Sequence, residues 1–210
     1  MKVLSAPASA RDAIPFKIVI AGGFGAGKTT FVGAISEITP LRTEEALTLA
    51  GVGTDDLDGI PDKSTTTVAM DFGRRTLDRS FESAPDLQLL LFGTPGQDRF
   101  WFMWDDLTNG AVGAVVLVDT RRLADCFAAV EYFERRGLPF LVAINRFEGA
   151  YPYPEDKVRA AIRLNPTVPV VSCDARQEQS ARAVLVALVQ HAYNRASLTA
   201  TSVGAEHVQS

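Results

Sequence analysis

Six short apolar runs punctuate the chain, and the stretches between them are polar or carry hydrophobic residues at helical spacing. Phe16–Ala21, Val68–Leu77, Leu87–Phe92, Val112–Asp119, Leu138–Asn145 and Val168–Cys173 read as strands. Two of them, Val112–Asp119 and Leu138–Asn145, are nearly continuous in apolar residues and bounded by glycine or proline. That is the pattern of parallel strands buried on both faces. Turn formers, Pro85 among them, separate the second and third strands over Ser80–Asp86. Helices are predicted over Thr30–Ile35, Leu123–Arg136 and Gln177–Arg195, the last with Val184, Leu185, Leu188, Val189 and Ala192 on one face. Alternation of this kind predicts an α/β fold, a six-stranded, mostly parallel sheet flanked by helices. Ligands of such sheets bind at the carboxyl ends of the strands.

Three stretches stand outside the pattern. Residues 1–14 are rich in Ala, Ser and Pro and read as a loose arm, and the Ser/Thr/Ala-rich residues 196–210 as a disordered tail. One domain, 15–195, lies between them, without internal repeats. Thr39–Ser64 shows no firm period and holds Glu44, Glu45, Asp55, Asp56, Asp58 and Asp62. So long a connection is either functional or a solvated insertion, with a short helix near Glu44–Ala50 as one local option.

Composition adds exclusions. At 210 residues, 47% of them hydrophobic, the chain can bury the core of one such domain. A net charge of −4 gives no electrostatic reason to expect nucleic acid. Cys126 and Cys173 lie far apart without metal-ligand spacing and read as buried, reduced thiols of a cytoplasmic protein. No apolar run approaches the roughly 20 residues of a membrane span, and neither end carries a targeting or prenylation motif. Membrane recruitment would have to come from a partner.

Candidate chemistry begins at Gly22-Gly23-Phe24-Gly25-Ala26-Gly27-Lys28-Thr29, which fits G-x-x-x-x-G-K-[ST] between the first strand and first helix. Glycines let backbone N–H groups turn inward around phosphates, and the helix N-terminus favours the anion. Lys28 would reach the β- and γ-phosphates, and the Thr29 hydroxyl would hold Mg²⁺. The hydroxyl run Thr65-Thr66-Thr67 at the mouth of the second strand is either simple β-propensity or a Mg²⁺ and γ-phosphate contact. After the third strand, Gly93-Thr94-Pro95-Gly96-Gln97 offers an N–H at Gly96 and an uncharged amide at Gln97 that could orient water. Asn145-Arg146-Phe147-Glu148 ends the fifth strand with an amide and, three residues on, a carboxylate that could accept from guanine N1–H and N2–H. Ser172-Cys173-Asp174-Ala175-Arg176 ends the last strand, where backbone N–H groups could meet the guanine O6.

In this order the motifs resemble those of the Ras-like small GTPases over about Phe16 to Arg195. The runs Leu91–Trp101 and Val118–Arg122 resemble the bacterial branch related to the gliding-motility GTPase MglA, and within it the actinobacterial conservon-type group. The resemblance implies a P-loop NTPase of small-GTPase fold, GTP/GDP and Mg²⁺ as ligands, and a slow GTP/GDP switch in a bacterial regulatory complex. It makes Thr67 the switch I threonine, Gly96 and Gln97 the end of D-x-x-G-Q, and Asn145, Arg146 and Glu148 the counterparts of N-K-x-D. Ala175 matches the alanine of S-A-K, with Cys173 and Asp174 just before it. Nucleotide contacts would then come from Gly22, Phe24, Gly25, Ala26, Gly27, Lys28, Thr29, Thr30, Gly96 and those base-loop residues. Metal contacts would come from Thr29 and Thr67, and catalysis from Lys28, Thr67 and Gln97. Implied partners are a roadblock/LC7-type protein and a sensor-kinase-like or pentapeptide-repeat protein, docking on the aromatic run Phe100–Trp104. There Phe100, Met103, Trp104 and Leu107 are expected to pack inward, leaving Trp101 and Phe102 outward.

Three departures qualify the implied chemistry. Gly93 stands where most such enzymes carry an aspartate for Mg²⁺, which predicts a metal shell of Thr29, Thr67, phosphate and water and a weaker Mg²⁺ dependence. Phe24 stands where a small glycine admits a partner's arginine, so any stimulation of hydrolysis would need another geometry; an internal arginine (Arg42, Arg74, Arg75 or Arg99) is one option, and each of these also reads as a plain surface charge. Glu148 is one methylene longer than the usual aspartate. Unaided hydrolysis is expected on the order of 10⁻⁴ s⁻¹. A nearly non-hydrolysing GTP-binding scaffold and a P-loop ATPase or small-molecule kinase remain as alternatives.

Overall fold

The computed structural model describes residues 13–47, 66–77, 86–96 and 102–206, and side chains for these except 42–47, 66–69, 102 and 199–206. Strands β1 (Ile14–Gly22), β2 (Leu41–Leu47), β3 (Thr66–Leu77), β4 (Leu87–Gly93), β5 (Ala111–Val118), β6 (Phe140–Asn145) and β7 (Val170–Cys173) form one sheet in the order β2-β3-β4-β1-β5-β6-β7. The pairs β1–β4, β1–β5, β5–β6 and β6–β7 are parallel, whereas β2–β3 and β3–β4 are antiparallel. All six expected strands are present in a mostly parallel α/β sheet. A seventh, β2, comes from the stretch without a firm period, in place of the local helix considered near Glu44. It pairs with β3 alone at the sheet edge, so no second neighbour imposes a clean alternation on its sequence.

Both faces of the sheet are covered. On one, Ile18, Ile20, Leu91 and Val115 pack against Phe31 of α1 (Lys28–Ile35) and Leu185 and Leu188 of α5 (Glu178–Glu206). On the other, Val19, Val116 and Val142 meet Trp104 of α2 (Phe102–Thr108), Phe133 of α3 (Phe127–Arg136) and Val158 of α4 (Glu155–Ala161). Burial on both sides explains the continuous apolar runs of β1, β5 and β6.

The helices differ from expectation at two boundaries and in one helix, α4, that the sequence did not predict. The segment expected to be one helix from Leu123 starts as a 3₁₀ turn, Thr120–Cys126, in which the Asp119 side chain accepts from Arg121 N–H and Arg122 leaves helical geometry. Helix α4 follows Pro154 and opens with Glu155 and Asp156, acidic residues that favour a helix N-terminus. Helix α5 continues past Arg195 to Glu206 instead of giving way to a disordered tail, because no glycine or proline interrupts it before Gly204. In α2, Trp104 and Leu107 are buried as expected, and Trp104 stacks on Phe133 at 5.7 Å. Phe100 and Trp101 lie outside the described residues.

Leu188 is fully buried between α5 and the sheet, while Tyr193 on the same helix is exposed. Leu188→Ala is expected to lower the free energy of unfolding by about 2–5 kcal/mol. Tyr193→Ala should change it by less than about 0.5 kcal/mol. Urea denaturation of the two variants checks both.

Candidate functional site

Strand β1 sits at the centre of the sheet, with the chain crossing to β4 on one side and β5 on the other. A crevice opens at such a reversal, and the Gly22–Lys28 turn occupies it. Gly27 caps α1 at φ 101°, without a side chain, so first-turn N–H groups stay available to an anion. A Cβ at Gly27 would lie 2.4 Å from Asn145 Nδ2, which excludes any larger residue. Gly25, Gly27, Lys28, Thr29 and Thr30 line a cavity of about 270 Å³ together with Asp71, Thr94 and Gly96. Lys28 Nζ donates to the carbonyls of Gly22 (2.8 Å) and Gly23 (2.7 Å). Its burial lowers the ammonium pKa to about 8, against an opposing pull from Asp71.

Asp71 is the residue that the sequence reading did not single out. It pairs with Gly93 across β3 and β4 and is buried, and it accepts a hydrogen bond from Thr29 Oγ1. A Cβ at residue 93 would come within 3.2 Å of the Asp71 Cβ and 3.3 Å of Oδ2, so the carboxylate occupies space that glycine leaves. The expected shell named no protein carboxylate; in the structure one stands beside Thr29, supplied by the neighbouring strand. Thr94 Oγ1, buried in the same cavity wall, has no hydrogen-bond partner among the described residues. Among the described residues no three His, Cys, Asp or Glu side chains converge into a self-sufficient metal cage. Mg²⁺ does not need one. It takes one or two carboxylates and completes its shell with phosphate oxygens and water. The donor set of Asp71 and Thr29 beside an unsatisfied buried hydroxyl fits that ion.

At the other end, Asn145 terminates β6 and is buried. Its Nδ2 donates to Ala26 O (3.0 Å) and its Oδ1 accepts from Ala175 N–H (3.0 Å). One amide thus ties the phosphate loop to the loop after β7. Arg121 forks onto buried Asp119 (2.9 and 2.7 Å) and lies over the Phe147 ring at 4.0 Å. The Arg121 hydrogen bonds hold the Asp119 carboxyl below its usual pKa. The stack braces the turn that carries Arg146 and Glu148, both exposed. Asp174 is likewise forked by Arg176 (2.9 Å to each oxygen) and held below its ordinary pKa. Cys173 is buried, and burial raises its thiol to about 12. Cys126, also buried and free, is raised to about 11 for the same reason. Neither thiol is poised to react.

The structure brings together Gly22, Gly25, Ala26, Gly27, Lys28, Thr29, Thr30 and Gly96 around the phosphate loop, and Asn145, Ala175, Cys173 and Asp174 at the ends of β6 and β7. Phe24 is 64% exposed. Thr67 lies within β3 opposite Ala46, four residues before Asp71, and its side chain is outside those described. Gln97 also lies outside the described residues. Asp71 carried a faint signal in the sequence: an ionisable residue in the middle of a strand that runs apolar on both sides of it.

The lowered Lys28 pKa has a definite sign. An unfolded chain holds that proton up to about pH 10.5, so this group makes the free protein more stable as pH rises from 8 towards 10.5. A bound polyphosphate restores the charged form, so binding takes up a proton above pH 8. Nucleotide affinity should fall between pH 8 and 10, and Lys28→Met should flatten that slope while weakening binding at neutral pH. Fluorescence titration across this range is the check; a flat profile in the unmodified protein would contradict the assignment.

Comparison with known proteins agrees with the geometry. The sequence matches the family described as conserved hypothetical ATP binding protein over residues 20–195, from β1 to the body of α5. No curated protein matches the chain. Among the described residues no helix is long and apolar enough to cross a membrane. With a glycine-rich loop, its lysine and the tied loop after β7 at one end of the sheet, and with the match spanning most of its length, the chain belongs to this ATP-binding protein family.

Proposed function

We propose that the chain is a guanine-nucleotide switch of the small-GTPase type, related to the MglA and conservon-type GTPases, that hydrolyses GTP slowly. The observation that carries this reading is the Asn145 bridge between Ala26 and Ala175. It couples the phosphate loop to the loop that would receive the base, three residues from a carboxylate at Glu148. A carboxylate there can accept from the N1–H and N2–H of guanine together, which adenine cannot offer.

In this reading the loop N–H groups and Lys28 hold the phosphates, and Gln97 orients the attacking water. Asp71 and Thr29 would hold Mg²⁺, with Thr67 joining them when the γ-phosphate is bound. The metal supplies charge neutralisation on the β- and γ-phosphates. Asp71 also weakens one of the two grounds for a non-hydrolysing scaffold, the missing carboxylate at Gly93, the other being Phe24. Signalling would run through segments that reorder with the γ-phosphate. A roadblock/LC7-type protein is the first partner to test, with sensor-kinase-like and pentapeptide-repeat proteins next, in the cytoplasm or at a membrane to which a partner recruits it.

The family description favours a second reading, adenine nucleotide binding. Titration with fluorescent GTP, GDP and ATP analogues separates the two. The switch reading expects guanine nucleotides to bind tightly and ATP to compete poorly. It also expects Glu148→Ala to cost roughly 10²-fold in GTP affinity, as loss of a charged hydrogen-bond pair should. ATP competing on equal terms, or an unchanged GTP affinity in Glu148→Ala, would favour the adenine reading.

A further inference from the structure

The internal arginines suggested by the sequence are not at the phosphate loop where the structure describes them. Arg74 pairs with Glu37 at 3.1 Å and Arg75 with Glu178 at 3.1 Å. The side chain of Arg42, and Arg99 as a whole, lie outside the described residues. A different arginine reaches the loop. Arg122, in the 3₁₀ turn after β5, donates from Nη2 to the carbonyl of Phe24. A Cβ added at Gly25 would lie 3.2 Å from the same nitrogen. The turn is seated on the loop from below as well, since a Cβ at Gly23 would lie 2.4 Å from the Asp125 Cβ.

Resting on the proposed GTPase reading, the geometry points to Arg122 as a catalytic arginine supplied in cis, which leaves the Phe24 carbonyl for the β- and γ-phosphates when GTP is bound. Several features fit that task. Its backbone departs from helical geometry at φ −139° and ψ 56°, where the side chain leaves the turn towards the loop. The side chain is 47% exposed and anchored loosely, by Asp125 at 3.5 Å from Nε. A neutral carbonyl is a weaker partner for a guanidinium than a phosphate, which it can fork. Arg121, its neighbour, is committed to Asp119 and the Phe147 ring and cannot serve. Phe24, which stands where a partner's arginine would enter, does not obstruct an arginine that already lies against its carbonyl.

The step follows. Water oxygen attacks the γ-phosphorus, the bond from phosphorus to the β–γ bridging oxygen breaks, and its electron pair stays on GDP. The water proton passes to the inorganic phosphate. Arg122 offsets the negative charge that grows on the bridging and γ-oxygens. An arginine in cis raises the rate expected for the isolated chain from the order of 10⁻⁴ s⁻¹ to the order of 10⁻² s⁻¹.

Single-turnover GTP hydrolysis by the full chain, with GDP affinity measured in parallel, tests this in Arg122→Ala and Arg122→Lys. The expected result is a roughly 100-fold loss of rate in Arg122→Ala, a smaller loss in Arg122→Lys, and GDP affinity within about threefold of the unmodified protein in both. GDP with aluminium fluoride should form a stable complex on the unmodified chain without any partner, and Arg122→Ala should lose it. Hydrolysis in Arg122→Ala within threefold of the unmodified rate overturns the inference and leaves the GTPase reading standing. An equal loss of GDP binding and rate also overturns it, because the residue would then hold the loop in shape only. No hydrolysis by the unmodified chain overturns the inference and the hydrolytic reading together.

Discussion

The candidate site depends on one cross-strand pair. Asp71 faces Gly93 between β3 and β4, and its carboxylate meets Thr29 at the start of α1 because residue 93 has no side chain. Neither residue alone makes the site, one a strand aspartate and the other a strand glycine. Together they place a buried negative charge where the phosphate loop ends, next to Lys28, whose ammonium it favours against the cost of burial. Thr29, which donates to that carboxylate, connects it to the phosphate loop.

Around this pair the loop is fixed from three sides. Asn145 holds Ala26 from the β6 end, and the 3₁₀ turn after β5 closes on Gly23 and Phe24. From the β4 end, a Cβ at Gly96 would lie 2.8 Å from both Lys28 Nζ and the Phe24 Cα. Each contact comes from the carboxyl end of a parallel strand, so sheet topology alone brings the groups together. The family assignment requires nucleotide binding and no more. In the proposed reading the choice of base falls to the Glu148 turn, which Arg121 and Phe147 brace.

Much of this was legible in the sequence. The six apolar runs gave the strands, and the glycine-rich motif located the loop, because both are local patterns of short period. The place of Asp71 beside Thr29 was not legible, since it rests on register, and register is set by pairing over 22 residues of sequence separation rather than by local propensity. Arg122 was quoted only as part of a resemblance, and its reach depends on a break in a turn that helical periodicity hides. The edge strand β2 lacked alternation because it has one neighbour. The end of α5 was misplaced because Ser, Thr and Ala are tolerated in helices as well as in tails.

Exchanging the pair tests most directly whether Asp71 does the work of the carboxylate missing at residue 93. GDP release would be timed with and without a magnesium chelator in the unmodified chain, in Asp71→Gly, and in Asp71→Gly combined with Gly93→Asp. If Asp71 takes that part, chelation speeds release at least about tenfold from the unmodified chain, changes little in Asp71→Gly, and speeds release again in the exchanged pair. Full magnesium dependence retained in Asp71→Gly would contradict it.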